Sequence, residues 1–75
     1  MGQMITRMNE LIRINTSKNT IEHSKDDGRN WHTRYSGSSC GTFTDLIDNG
    51  KEILGTSSKG LYYSKDDGRN WHKRS

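Results

Sequence analysis

The sequence predicts an all-β chain of two four-stranded antiparallel meander units, and three observations lead there. Nine consecutive residues, Ser24-Lys25-Asp26-Asp27-Gly28-Arg29-Asn30-Trp31-His32, recur unchanged as Ser64-Lys65-Asp66-Asp67-Gly68-Arg69-Asn70-Trp71-His72, an offset of 40 residues. Short segments with strand-forming side chains flank both copies and are bounded by turn residues. No proline interrupts them, which suits strand ladders, and no segment carries capped helical periodicity.

Held at that offset without gaps, the similarity runs outward. Arg34 falls on Arg74, Ile21 on Leu61, Thr16-Ser17 on Thr56-Ser57, Ile14 on Leu54 and Asn9 on Asn49. Self-similarity at a fixed period marks a repeat architecture. The single domain 1–75 therefore divides into a first unit, 4–35, a small-residue linker, 36–41, and a second unit, 42–75. In the second unit Thr42 to Asp48 reads as a strand, and Asn49-Gly50 is a strong hairpin signal. Lys51 to Thr56 follows as a strand centred on Ile53 and Leu54, Ser57 to Gly60 turns the chain, and Leu61 to Ser64 and Trp71 to Ser75 complete the meander. In the first unit Met4 to Met8, Leu11 to Asn15, Thr20 to Ser24 and Trp31 to Tyr35 take the same roles, with Asn9-Glu10 where the second has Asn-Gly.

Composition bears on how such a chain is held together. Only 27% of its 75 residues are hydrophobic, against roughly 45–50%, glycine included, in an average globular chain. A lone copy is thus expected to have a thin core, and small scaffolds usually compensate with disulfides, a metal or oligomerisation. Cys40 is the sole cysteine, so no internal disulfide can form. His23, His32 and His72 lack the paired spacing of a zinc site. Oligomerisation is the remaining route. Intrinsic disorder also lowers hydrophobicity, but a net charge of +3 and well-organised turn chemistry argue against it. Neither a signal-peptide-like apolar run at Met1-Gly2-Gln3-Met4 nor a membrane-spanning stretch is found. One unpaired cysteine in a Ser-Gly-Ser-Ser-Cys-Gly loop fits a reducing cytoplasm.

The pattern Ser-x-Asp-x-Gly-x-x-Trp, present as Ser24, Asp26, Gly28, Trp31 and as Ser64, Asp66, Gly68, Trp71, resembles the Asp-box, or BNR repeat, of sialidase-like β-propellers. Asn30 and Asn70 stand where that family usually has Thr. The resemblance implies that each box is the hairpin between the third and fourth strands of a propeller blade. The residue types fit a folding role. An Asp that opens a tight turn accepts bonds from N–H groups a few positions on, Ser adds a short-range bond, and Gly permits positive φ. Trp returns a large apolar surface over the hairpin and into the seam with a neighbouring sheet. A calcium loop is the competing reading of Asp-Asp-Gly-x-Asn, but no glutamate lies at the twelfth position and no helices flank it. Neither a metal nor a cofactor is expected.

Two blades leave open edges and faces, and repeat folds generally need about three units or more for a stable core. The resemblance implies assembly into a ring, as in small lectins that build six blades from three two-blade chains. A trimer is preferred, with a dimer or tetramer as alternatives.

Catalysis is not expected. The family's sialidases use an arginine triad, a tyrosine–glutamate pair and an acidic aspartate drawn from several blades, none of them in the box. Glu10, Glu22 and Glu52 are scattered and suggest no paired-carboxylate geometry. A binding module is the preferred reading, since concave sites between small units suit small ligands. Its candidate residues are Arg29, His32, Arg34, Tyr35, Tyr62, Tyr63, Arg69, His72 and Arg74. Arg pairs with phosphate or carboxylate, and aromatic rings stack on a base or sugar. A cytoplasmic setting favours a nucleotide or other phosphorylated metabolite held by sequestration, and a secreted one a glycan. A structural part that docks a protein by strand addition is the remaining alternative. The 12 Lys and Arg are offset by 9 Asp and Glu and form no basic stripe, which speaks against nucleic acid.

Overall fold

The computed structural model describes residues 3–36 and 39–74. They form eight strands: β1 (Met4–Arg7), β2 (Glu10–Asn15), β3 (Thr20–Ser24), β4 (His32–Ser36), β5 (Phe43–Asp48), β6 (Ile53–Ser57), β7 (Gly60–Ser64) and β8 (His72–Lys73). The order is β1-β2-β3-β4 in one sheet and β5-β6-β7-β8 in the other, with every neighbouring pair antiparallel. Each expected strand is present, its ends moved by at most two residues. Linker residues 37 and 38 and the expected strand end at Ser75 lie outside the described residues. Among the described residues there is no helix, so none is long and apolar enough to cross a membrane.

Turn chemistry sets the registers. Arg7 pairs with Glu10, so Met8 and Asn9 are the two central residues of the β1–β2 hairpin, at φ 52° and 65°. Two successive positive φ values match the right-handed strand twist, and asparagine tolerates them well. The second unit differs from the expected Asn49-Gly50 turn. Asn49 N–H donates to the Glu52 carbonyl at 3.1 Å, which makes Gly50 and Lys51 the central pair, with Gly50 at φ 94°. The Asn49 side chain caps this turn, its Oδ1 accepting from Lys51 N at 3.1 Å and Glu52 N at 2.9 Å.

The pairing also corrects the ungapped alignment of the two units. Ser24 opposes Leu11 and Ser64 opposes Ile53, so on the first two strands of each unit equivalent residues are 42 apart. The first unit has two more residues between β2 and β3, Thr16-Ser17-Lys18-Asn19 against Ser58-Lys59. Leu54 therefore corresponds to Ile12 rather than Ile14, Thr56 to Ile14, Ile47 to Ile5 and Glu52 to Glu10. After that loop the offset of 40 holds, and Leu61 corresponds to Ile21.

A single core lies between the sheets. Ile12, Ile14 and Ile21 from the first sheet, with Ile5 and Tyr35 at its margin, pack against Phe43, Leu46, Ile53, Tyr62 and Trp71 from the second. The sheets meet backbone to backbone through β1, β2 and β5, while Arg34 of β4 reaches the turn after β7. Burying an Ile or Leu side chain fully contributes about 1.5–3 kcal/mol, which makes this seam the main apolar term of the fold. Cys40 belongs to it as well, buried, with its sulfur 3.3 Å from the Tyr35 hydroxyl. The loop reading of Cys40 missed that role. Gly55 is the point of closest approach, because a methyl there would come within 2.7 Å of the Phe43 ring.

The two units thus present opposite faces to the seam. In the second sheet the buried face carries Trp71; in the first sheet it is the face away from Trp31. Trp31 is left half-buried under the Arg13 guanidinium, 3.9 Å from its ring. Trp71 thus enters the seam with the neighbouring sheet of the same chain, and Trp31 does not.

Candidate functional site

The hairpin of the nine-residue motif is closed by the same side-chain bonds in both copies. Ser24 Oγ donates to Asp26 Oδ1 at 2.7 Å and accepts from Gly28 N at 2.9 Å. Asp26 Oδ1 accepts from Asn30 N at 2.9 Å, and Asp26 Oδ2 accepts from the Asn30 side-chain amide at 2.6 Å. The same four bonds recur around Ser64, Asp66, Gly68 and Asn70 at 2.7, 2.9, 2.9 and 2.6 Å. The amide bond explains Asn30 and Asn70, since it gives the carboxylate a second donor from the same residue. Donors stabilise the ionised form. Bonds from Ser24, the Asn30 amide and Asn30 N–H hold Asp26 down to about 2. Burial opposes this at Asp66, but bonds from Asn70 N–H, Ser64 and the Asn70 amide still bring it to about 2. These carboxylates are occupied by the hairpin. Among the described residues no three His, Cys, Asp or Glu side chains converge as a metal would need.

The candidate arginines divide sharply. Arg34 is an extra residue in β4, between the Ile21–Tyr35 and Glu22–Thr33 pairs, and such a bulge redirects a side chain. Its side chain is 4% exposed, and the guanidinium makes a paired contact with Glu10 at 2.7 and 3.1 Å. It also donates to the Asp67 carbonyl of the second motif at 3.0 Å. Arg34 is thereby a tie inside the fold. Arg74 makes the equivalent pair with Glu52 at 2.5 and 3.0 Å but stays 41% exposed. Arg29 and Arg69 are exposed at the turn tips, where Arg69 donates to the Asp66 carbonyl at 3.0 Å.

The aromatic candidates separate in the same way. Tyr62 is buried in the core, and Tyr35 packs edge-on against Phe43 with its hydroxyl on Ser39 and Cys40. His32 is exposed and lies beside His23, ring centroids 5.6 Å apart. His23 Nδ1 is buried without a hydrogen-bond partner among the described residues. Burial first, then the nearby Arg34 charge, lowers the affinity of that ring for a proton.

The structure gathers one open cluster. On the outer face of the second sheet the half-buried Tyr63 packs against exposed His72, the rings tilted by 39° with centroids 5.5 Å apart. The Arg74 guanidinium sits 4.3 Å over the same ring, and Lys65 Nζ lies 5.9 Å from it. Tyr63, His72 and Arg74 were legible as candidates. Lys65 was not, because it sits inside the structural motif; its place directly after the last residue of β7 would have put it next to Tyr63. Three groups that carry or can carry positive charge thus lie around one π face, Arg74 also remaining paired with Glu52.

Compared with protein-family models, curated proteins and solved structures, the chain gives no match.

Proposed function

We propose that this chain is a non-catalytic binding protein, built from two Asp-box blades and completed by copies of itself into a propeller-like assembly. Its ligand is a small anion with a flat portion, in the class of nucleotides and other phosphorylated metabolites. The observation that carries this reading is the cluster of Tyr63, His72, Lys65 and Arg74 on an open sheet face. The ring offers a stacking surface and the cations pair with phosphate. The contact of the sheets through their leading strands, β1 and β2 with β5, supports the blade reading. The buried, unpaired Cys40 suits a reducing cytoplasm, which favours a phosphorylated ligand over a glycan.

The test is calorimetric titration of the purified protein with a purine mononucleotide and, separately, with inorganic phosphate and a neutral sugar. Binding of the mononucleotide, weakened at least tenfold by Tyr63→Ala and by Lys65→Ala, is the expected result. Mononucleotide binding that both variants leave unchanged would remove the cluster from the reading. Preference for the neutral sugar would move the protein to the glycan-binding class.

A further inference from the structure

Each open face of the chain carries the equivalents of residues that the contact between the two sheets buries. Equivalent positions show this pair by pair. On the face away from the tryptophan, Ile12 and Ile21 are 0% exposed in the first sheet, covered by the second. Their equivalents in the second sheet, Leu54 and Leu61, are half-buried, and Ile47, equivalent to the partly buried Ile5, is 57% exposed. The tryptophan face behaves in the opposite sense. Leu46, Ile53, Gly68 and Trp71 are buried in the second unit, Leu46 to 1% exposure. Their equivalents in the first, Leu11, Gly28 and Trp31, are half-buried, and Met4 is 54% exposed.

We propose that a second copy of this chain docks head to tail, its Met4, Leu11, Gly28 and Trp31 face covering Ile47, Leu54 and Leu61 of the first. This rests on the self-assembly reading above and names the surfaces that perform it. The within-chain seam supplies the template. Gly68 sits over Ile21, where an added methyl would come within 3.3 Å of its side chain, and Arg34 reaches the Asp67 carbonyl. In the contact between copies Gly28 takes the place of Gly68 over Leu61.

The copy-to-copy contact is weaker than the one within the chain. Arg7 bonds Asp67 at 2.8 Å and Asp48 at 2.7 Å, and Asn19 bonds Gly41 and Phe43. The equivalent of Arg7 is Asn49, and the shorter Ser58-Lys59 turn has no counterpart of Asn19. Arg13 and Glu22, paired at 2.9 Å, replace Gly55 and Tyr62 on the docking face. Loss of these ties raises the concentration that assembly requires. Because the two mating surfaces differ, the contact is heterologous and adds copies in one direction, closing into a ring where the rotation permits.

The test uses two full-length variants at exposed positions, Ile47→Arg and Met4→Arg, each checked for folding by circular dichroism. Sedimentation is measured at high micromolar concentration. Wild-type protein should exceed the monomer mass of 8.6 kDa, and each variant alone should sediment as monomer. An equimolar mixture should form a species of twice that mass and no larger, because one intact surface of each kind remains. Monomeric wild type would overturn both this inference and the self-assembly reading. Assembled wild type with either variant still assembling alone, or with a mixture that stays monomeric, would overturn the surface assignment and leave self-assembly standing.

Discussion

Removing the Arg34 guanidinium should be among the most damaging single changes in this protein. Arg34 is 4% exposed and Glu10 is 7% exposed, and the pair is made through two parallel bonds. Arg34→Ala leaves a buried carboxylate without its cation, at a cost of about 3 kcal/mol, the lower end for broken buried pairs. A domain of this length has roughly 4–11 kcal/mol of stability in total, so the loss is a large fraction. At about 4–8 °C per kcal/mol, the thermal midpoint should fall by roughly 12–24 °C, measured by circular dichroism at one fixed protein concentration, since assembly shifts midpoints by mass action. The pH dependence gives an independent signature. Bonding to Arg34 holds the Glu10 carboxyl below its ordinary value against the opposing effect of burial. In the native protein Glu10 therefore contributes stability that is present above the ordinary glutamate range and lost as pH falls through its lowered value. Without Arg34 burial dominates and the sign reverses: the variant gains stability relative to the native protein as pH is lowered toward 4. Arg34→Met with Glu10→Leu should restore most of the loss, because an apolar pair of similar volume needs no compensation. A midpoint lowered by less than about 4 °C, equivalent to about 1 kcal/mol, would refute this account of the pair.

Further outcomes follow from the same packing. Gly55→Ala should destabilise by about 1–3 kcal/mol through overpacking against Phe43 and Trp71, read as a lower denaturant midpoint, whereas Gly50→Ala, with nothing within 4 Å of the new methyl, carries only the cost of its positive φ. Trp71→Ala should cost about 3–5 kcal/mol, while Trp31→Ala, half-buried under Arg13, should cost clearly less in dilute protein; equal losses in chemical denaturation would contradict the placement of the seam. Asp26 and Asp66, both held to about 2, stabilise the fold above the ordinary aspartate value of 3.8, and that contribution disappears as pH falls from about 4 to 2. An acid transition in that window, moved or diminished in Asp66→Asn, is the expected fluorescence result.

Local chemistry was the most legible part of the fold. Ser24, Asp26, Gly28 and Asn30 are close in sequence, and their bonds close within four residues, so one unchanged motif repeated at Ser64 implies one unchanged hairpin. Register was less legible. Two extra residues at Thr16 to Asn19 shift the equivalence on β1 and β2, and the chance coincidence of Thr16-Ser17 with Thr56-Ser57 conceals the shift. The turn at Gly50-Lys51 was displaced by one residue for a related reason, since Asn49 acts through its side chain rather than as a central turn residue. At the candidate site, sequence could assemble Tyr63, His72 and Arg74 but could not separate Arg34 from Arg74. Both follow the same motif, and only the seam, which buries one and exposes the other, distinguishes them.

The longer turn ending at Asn19 gives the chain a direction. Its side-chain amide donates to the Gly41 carbonyl and its Oδ1 accepts from Phe43 N–H, so the leading half clasps the strand that opens the trailing half. A gene with the halves transposed would encode almost the same hairpins yet strand that clasp at an outer end, with the Ser58-Lys59 turn left at the join.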